Sequence, residues 1–221
     1  MIAALLIAAA IAPAPKAALR PAPATMSAID AERAFAADAQ RNGQWTAFRK
    51  WSTPDALMFV PQPVNARAYL GKLKNPAVPV FWWPGRSYVS CDGSVAINTG
   101  PWVRDFGKSV GYFTTVWVRQ KDGSWKWIYD AGDEEQFMRG EGGDIAPVVA
   151  ACTKPKMPSV AAAPPAGFKV GSGRSPDGSL EWAWAVGPDG SRTFLVNLWD
   201  GTKRQTVIED KVTPKAATKP K

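Results

Sequence analysis

No histidine occurs anywhere in the 221-residue sequence, and that absence limits the chemistry open to the chain. The commonest general base near neutral pH, the usual catalytic triads and most zinc sites all require an imidazole. Any reaction must therefore rest on carboxylates, tyrosines, lysines or cysteines. The two cysteines, Cys91 and Cys152, are spaced too widely for a zinc or redox motif. In an oxidising compartment they pair and close a long loop, which stabilises a fold by about 4 kcal/mol in the chain-entropy model. Otherwise they are two unrelated buried thiols. No metal site and no cofactor is expected.

The aromatic residues are skewed toward indoles, with 11 Trp against 4 Tyr. Indole rings fill cores and also line ligand clefts, and their N–H groups need partners when enclosed. The formal charge is +8, but part of it sits at the chain ends, on Lys16 and Arg20 and on Lys211, Lys215, Lys219 and Lys221. Residues 211–221 mix those lysines with Pro and Ala and read as a solvated basic tail. With no helix of basic residues and no recognition motif, no nucleic-acid partner is expected.

At the other end, Met1 to Ile11 is apolar and is followed by Ala12-Pro13-Ala14 and Ala22-Pro23-Ala24. That order reads as a signal peptide over residues 1–24, and so as a periplasmic or secreted protein. The stretch is too short to anchor in a bilayer, so no membrane span is expected after cleavage. No basic residue precedes the apolar run, and the other reading is a frayed Ala/Pro arm.

The elements that would position any site begin at Ser27. Ser27 caps a helix with Asp30 three residues on, Ile29, Phe35, Ala36 and Ala39 share one face, and Asn42-Gly43 ends it. Trp45, Phe48 and Trp51 predict a second short helix stopped by Pro54. Ala56 to Val60 reads as a strand, and Asn65 caps a brief helix through Ala66, Tyr69 and Leu70. Strands are then predicted at Val78–Trp83, Arg86–Cys91, Ser94–Val103, Val110–Gln120 and Ser124–Ala131, joined by turns such as Asp92-Gly93 and Asp122-Gly123.

Helices followed by an antiparallel meander make an α+β domain over residues 26–139, its helices packed on one face of a curved sheet. Residues 140–166, rich in Gly and Pro, read as a linker or draped loop. Beyond them, Leu180, Trp182, Trp184 and Val186 alternate, as do Phe194, Val196 and Leu198. With a last strand at Gln205 to Ile208 they predict a three-stranded antiparallel meander over residues 167–210. Three strands bury little alone, so the meander must dock on the first domain or on a partner.

The run Cys91-Asp92-Gly93-Ser94-Val95-Ala96 to Thr99-Gly100-Pro101-Trp102, then Gly111-Tyr112-Phe113 with Val116-Trp117-Val118, then Asp122-Gly123-Ser124-Trp125-Lys126-Trp127 to Asp130, resembles the later strands of the nuclear transport factor 2-like superfamily. More narrowly, it is similar to the secreted SnoaL-like members. Glu32-Arg33-Ala34-Phe35 and Asn65-Ala66-Arg67 fit the same order, so the resemblance covers residues 26 to about 133. It implies a cone-shaped fold, a pocket at its open end and frequent homodimers through the sheet, and it implies no single reaction.

Enzymes of that superfamily, among them steroid isomerases, dehydratases and polyketide cyclases, commonly use an acidic base and an oxyanion donor in an apolar pocket. The stand-ins here are Asp130 as base and Tyr112 as donor. A bulged hairpin about Asp122-Gly123 sets Thr114 opposite Asp130 with Tyr112 on the same face, whereas a two-residue turn sets Thr115 there and separates them. The structural alternative makes Asp130 an acceptor of backbone N–H groups and Tyr112 a core residue. Trp102, Trp117, Asn98 and Thr114 are the candidate pocket residues, for an apolar or aromatic small molecule.

Three functions compete. One is a non-catalytic ligand-binding or scaffold module, favoured by the missing His and the absence of a nucleophile motif. The second is a small isomerase or dehydratase built on Asp130 and Tyr112. The third is an envelope interaction protein using its C-terminal sheet for β-augmentation.

Overall fold

In the computed structural model, residues 26–140, 143–155 and 166–214 are described; the predicted signal peptide and residues 215–221 of the tail lie outside them. Helix α1 (Ala28–Asn42) starts where the Ser27 hydroxyl accepts from Asp30 N–H, and stops at Gly43, whose φ of 95° suits only glycine well. Helix α2 (Gln44–Trp51) follows at once, and strand β1 (Ser52–Phe59) leaves directly from it. Pro54 therefore lies inside a strand rather than ending a helix. The strand tolerates it because its register against its neighbour breaks between Ser52 and Leu57, where no ladder N–H is needed.

The chain continues through β2 (Pro63–Asn65), α3 (Ala66–Leu70), β3 (Phe81–Trp82), β4 (Arg86–Val89), β5 (Val95–Arg104), β6 (Ser109–Arg119), β7 (Trp125–Glu135) and β8 (Val148–Val149). The strand expected from Val78 is cut to two residues by Pro79, and Val80 N–H goes to the Gln44 side chain instead. The sheet order is β2-β1-β7-β6-β5-β4-β8, with β3 also on β5. It is mixed rather than wholly antiparallel, because β1 runs parallel to β7 and β8 parallel to β4.

The C-terminal unit has four antiparallel strands instead of three, in the order β12-β11-β10-β9, from β9 (Lys169–Arg174), β10 (Leu180–Val186), β11 (Arg192–Trp199) and β12 (Arg204–Val212). Strand β9 carries Gly171 and Gly173, residues that normally weaken a strand. Here they face the rings of Trp184 and Trp182 across the ladder, where an added Cβ would come within 2.4 and 2.2 Å of ring carbons. The predicted linker is also partly built in: Val148–Val149 form β8, Ala150 N–H donates to Val89 and Ala151 N–H to Trp199.

The architecture is α+β in three layers. On one face of the large sheet the helices bury Phe35, Phe48, Trp82, Phe113, Trp117, Trp125 and Trp127. On the other face, Tyr88, Val95, Ile97, Val116 and Tyr129 meet Leu180, Trp182, Phe194, Val196, Leu198 and Ile208 of the small sheet. Tyr129 and Phe194 stack across that junction at 4.3 Å. Cys91 and Cys152 form a disulfide beside it. There two of the Asp-Gly-Ser turns, at residues 92–94 and 177–179, also meet, Cys91 N–H donating to Ser179 Oγ and Asp92 N–H to Asp177 Oδ2. Among the described residues no helix is long and apolar enough to cross a membrane.

Candidate functional site

A cavity of about 370 Å³ opens between the helices and the large sheet. Its walls include Trp45 and Phe48 of α2, Met58 of β1, Trp82, Trp102 of β5 and Phe113 of β6, with Asp130 of β7 among them. Arg104, Asp133 and Glu134 are also part of its lining.

Asp130 reaches this face because of one extra residue. Up to Trp127, β7 pairs with β6 in one register (Arg119 with Trp125, Trp117 with Trp127); from Tyr129 on it pairs in the next (Val116 with Tyr129, Thr115 with Asp130). Ile128 is the unpaired residue of this bulge. In an unbroken strand Trp125, Trp127 and Tyr129 would share the helix-side face and Asp130 would point away. The bulge reverses the parity, so Tyr129 goes to the outer cluster and Asp130 turns inward.

That reversal separates the residues the sequence grouped. Thr115, not Thr114, opposes Asp130 and donates a hydrogen bond to its Oδ2 at 3.0 Å. Thr114 and Tyr112 belong to the outer face: the Thr114 hydroxyl donates to Asp210 Oδ2 of β12 at 2.7 Å, and the Tyr112 ring lies under the Arg139 guanidinium at 3.5 Å. Arg139 in turn pairs with Asp210. Burial pushes the Tyr112 phenol up from its ordinary value, with Asp210 adding to the shift. Tyr112 is also part of the cavity lining, but its ring is turned to Arg139 rather than toward Asp130.

Of the candidate pocket residues, Trp102 lines the cavity and its indole N–H donates to the Tyr112 carbonyl. Asn98 and Trp117 are on the helix-side face but serve a buried carboxyl. Glu32 of α1 is fully buried, and its Oε1 accepts from the Trp82 indole at 2.9 Å, while Oε2 accepts from the Trp117 indole at 2.6 Å and from Asn98 Nδ2 at 3.3 Å. The same Asn98 nitrogen donates to the Ala28 carbonyl, which fixes the amide's orientation.

Burial raises the Glu32 carboxyl to about 7 against these three donors. Asp130 is raised to about 8, by burial first and by the neighbouring Glu32 second, with Thr115 and Arg192 pulling it down. Part of its surface is open to the cavity although protein surrounds it. The sequence had placed Glu32 only in the run Glu32-Arg33-Ala34-Phe35 that fits the family order, with no role at a site. The signal was its position three residues after Ile29 and three before Phe35, a carboxylate inside an apolar stripe. Among the described residues no group of three or more Cys, Asp or Glu is arranged to hold a metal ion.

No family model matches this sequence, and no curated protein matches it. The solved structures it is similar to include a ketosteroid isomerase-like protein from Parabacteroides distasonis, at 19% identity over 50% of this chain and 89% of that one, with a TM-score of 0.40. A second ketosteroid isomerase-like protein, from Shewanella frigidimarina, shows 17% identity over 50% of this chain and 98% of that one, with a TM-score of 0.35. A protein of unknown function from Pectobacterium atrosepticum shows 10% identity over 47% and 87%, again with a TM-score of 0.35. No residue role and no reaction passes from them to this chain. The likeness covers about half of this chain and most of each neighbour.

Proposed function

We propose that the protein is an exported small-molecule-binding module, and that its ligand is a flat, largely apolar compound held in the cavity between α2 and the large sheet. The observation that carries this reading is Asp130 itself, a carboxyl turned by a β-bulge into a space whose walls include Trp45, Phe48, Trp82, Trp102 and Phe113. Aromatic walls with a few convergent polar groups, here Asp130 with Gln44, Arg104, Asp133 and Glu134, are the ordinary composition of a ligand site. The raised carboxyl is neutral at pH 7 and so donates a hydrogen bond instead of demanding a counter-ion. Export is supported by the Cys91–Cys152 disulfide, which persists in oxidising compartments.

Titration with 2-acetonaphthone, a flat neutral ketone, tests the reading through tryptophan fluorescence. Saturable quenching is expected, with affinity reduced about tenfold or more in Trp102→Ala, since an aromatic wall contributes more than 1.4 kcal/mol when it covers a ligand. Quenching that never saturates, or that ignores Trp102→Ala and Phe113→Ala alike, contradicts it.

Catalysis is the second reading, and the same Asp130 favours it, because a carboxyl poised near neutrality exchanges protons readily. It lacks the partner first assigned, since Tyr112 is directed to Arg139 and the outer face. An Asp130→Asn enzyme that turned over a discovered substrate at the normal rate would end this reading. The partner-protein reading is weakened by the small sheet itself, which buries Leu180, Trp182, Phe194 and Val196 against the large sheet instead of presenting them outward. The same packing fills the outer sheet face through which a homodimer was expected, so any second copy would have to use another surface.

A further inference from the structure

The fully buried Glu32 takes no part in lining the cavity, yet its partner Asn98 stands opposite Thr115, which in turn opposes and bonds Asp130, a carboxyl that does. Every hydrogen-bonding neighbour it has is a donor: two indole N–H groups, which can do nothing else, and the Asn98 amide nitrogen, whose orientation the Ala28 carbonyl fixes. A proton on Glu32 would face donors, so this nest offsets part of the burial that disfavours the anion and makes Glu32 the first of the two carboxyls to ionise. Asp130 meets a different environment. Its partner is the Thr115 hydroxyl, which donates or accepts with equal ease, and the rest of the carboxyl faces open space.

We propose that Glu32 carries the negative charge of this carboxyl pair and thereby holds the proton on Asp130, so that the cavity selects neutral ligands bearing a hydrogen-bond acceptor and rejects carboxylates. Glu32 is a positioning residue in this scheme, acting through Asp130 without touching the ligand. The inference rests on the cavity being a ligand site.

The other groups facing Asp130 leave that arrangement intact. Strand β6 presents Thr115, β1 presents Met58 as its cross-strand neighbour, and α2 presents Phe48, none of which titrates. Arg192 of β11 favours the anion, but its guanidinium donates to the Gly132 carbonyl and lies over the Phe59 ring. Arg104, Asp133 and Glu134 also line the cavity, and Arg104 pairs with Asp105. With Glu32 charged, a ligand carboxylate at Asp130 would stand near a second buried negative charge, which the low-dielectric surroundings make costly.

The test uses the full mature chain with 2-acetonaphthone and 2-naphthoate, a ketone and a carboxylate on the same ring. Ketone affinity should hold up to about pH 8 and then fall about tenfold per pH unit as Asp130 ionises. Naphthoate should bind at least about tenfold more weakly at pH 7. Glu32→Gln should move the midpoint of ketone release down by about one pH unit, since a like charge beside Asp130 is gone.

Because Glu32→Gln sets an amide N–H₂ against an indole donor and can cost the fold, Trp117→Phe serves as the second variant. It keeps an aromatic ring in the core and removes one donor to Glu32, and should shift the midpoint the same way by less. Equal affinity for the two probes at pH 7, or an unmoved midpoint in each variant that folds, overturns the role of Glu32 and leaves the binding site standing. No saturable ketone binding by the wild-type chain at any pH ends the cavity reading. The proposal for Glu32 is then decided by the ¹³C carboxyl signal of Asp130, whose titration should move down in Trp117→Phe and whose constancy would refute it.

Discussion

Both faces of the large sheet are covered by aromatic and aliphatic side chains, but they differ in what they do with polar groups. The outer face is covered by the small sheet, with Ile97, Val116 and Tyr129 against Leu180, Phe194 and Val196. Its polar residues, Thr114, Asp210 and Arg139, close on one another. The inner face buries Glu32 and exposes Asp130 to a cavity, holding two carboxyls above their ordinary range. One face is arranged for stability. The other retains a costly polar pair, which is the usual mark of a site.

That contrast predicts which changes harm the fold and which harm only the cavity. Ending the chain at residue 166 removes the small sheet and exposes the outer cluster, and the product should be insoluble or should aggregate in sedimentation experiments. A soluble, native-like truncated chain would mean that the two units fold independently. Phe194→Ala, which empties a fully buried ring site stacked on Tyr129, should cost about 3–5 kcal/mol in denaturant unfolding. Trp102→Ala, on a partly exposed wall, should cost clearly less. Reduction of Cys91–Cys152, which closes a loop 61 residues long, should cost about 2–4 kcal/mol.

The smallest effect is the dependence of stability on pH. Glu32 and Asp130 have folded values above their unfolded ones, so the stability they contribute is complete below pH 4 and is lost as pH rises through about 7 and about 8. Asp38 works in the opposite sense. Burial would raise it, but hydrogen bonds from Lys50, Asn42 and Trp51 outweigh that and lower it to about 2, so its contribution is present above about 3.8 and lost as pH falls toward 2. The thermal midpoint should therefore be higher at pH 5.5 than at pH 8.5, and Asp130→Asn should narrow the gap. An equal gap in both proteins would contradict the buried-pair account.

Much of the element order was legible in the sequence, because capping residues, Asp-Gly turns and period-two alternation are local signals. Ser27, Asn65, Asp92-Gly93 and Asp122-Gly123 all act where the pattern put them. What the sequence concealed depends on contacts made at a distance. Strand β9 hides behind Gly171 and Gly173, which look like breakers until the indoles of Trp182 and Trp184 lie over them. The Ile128 bulge is likewise silent, yet it decides which face receives Asp130 and so parts it from the Thr114 hydroxyl and the Tyr112 ring. Glu32 was visible as a misfit in an apolar stripe, but only the fold brings Trp82 and Trp117 to it.

The indole N–H signals in ¹⁵N-resolved spectra distinguish the two faces in one experiment. On titration with 2-acetonaphthone, the signals of the cavity-lining Trp45, Trp82 and Trp102 should shift and saturate together, while those of Trp182, Trp184 and Trp199 in the small sheet stay in place. Shifts confined to the small-sheet indoles, or none at all at saturating ketone, would contradict the assignment of the site to the inner face.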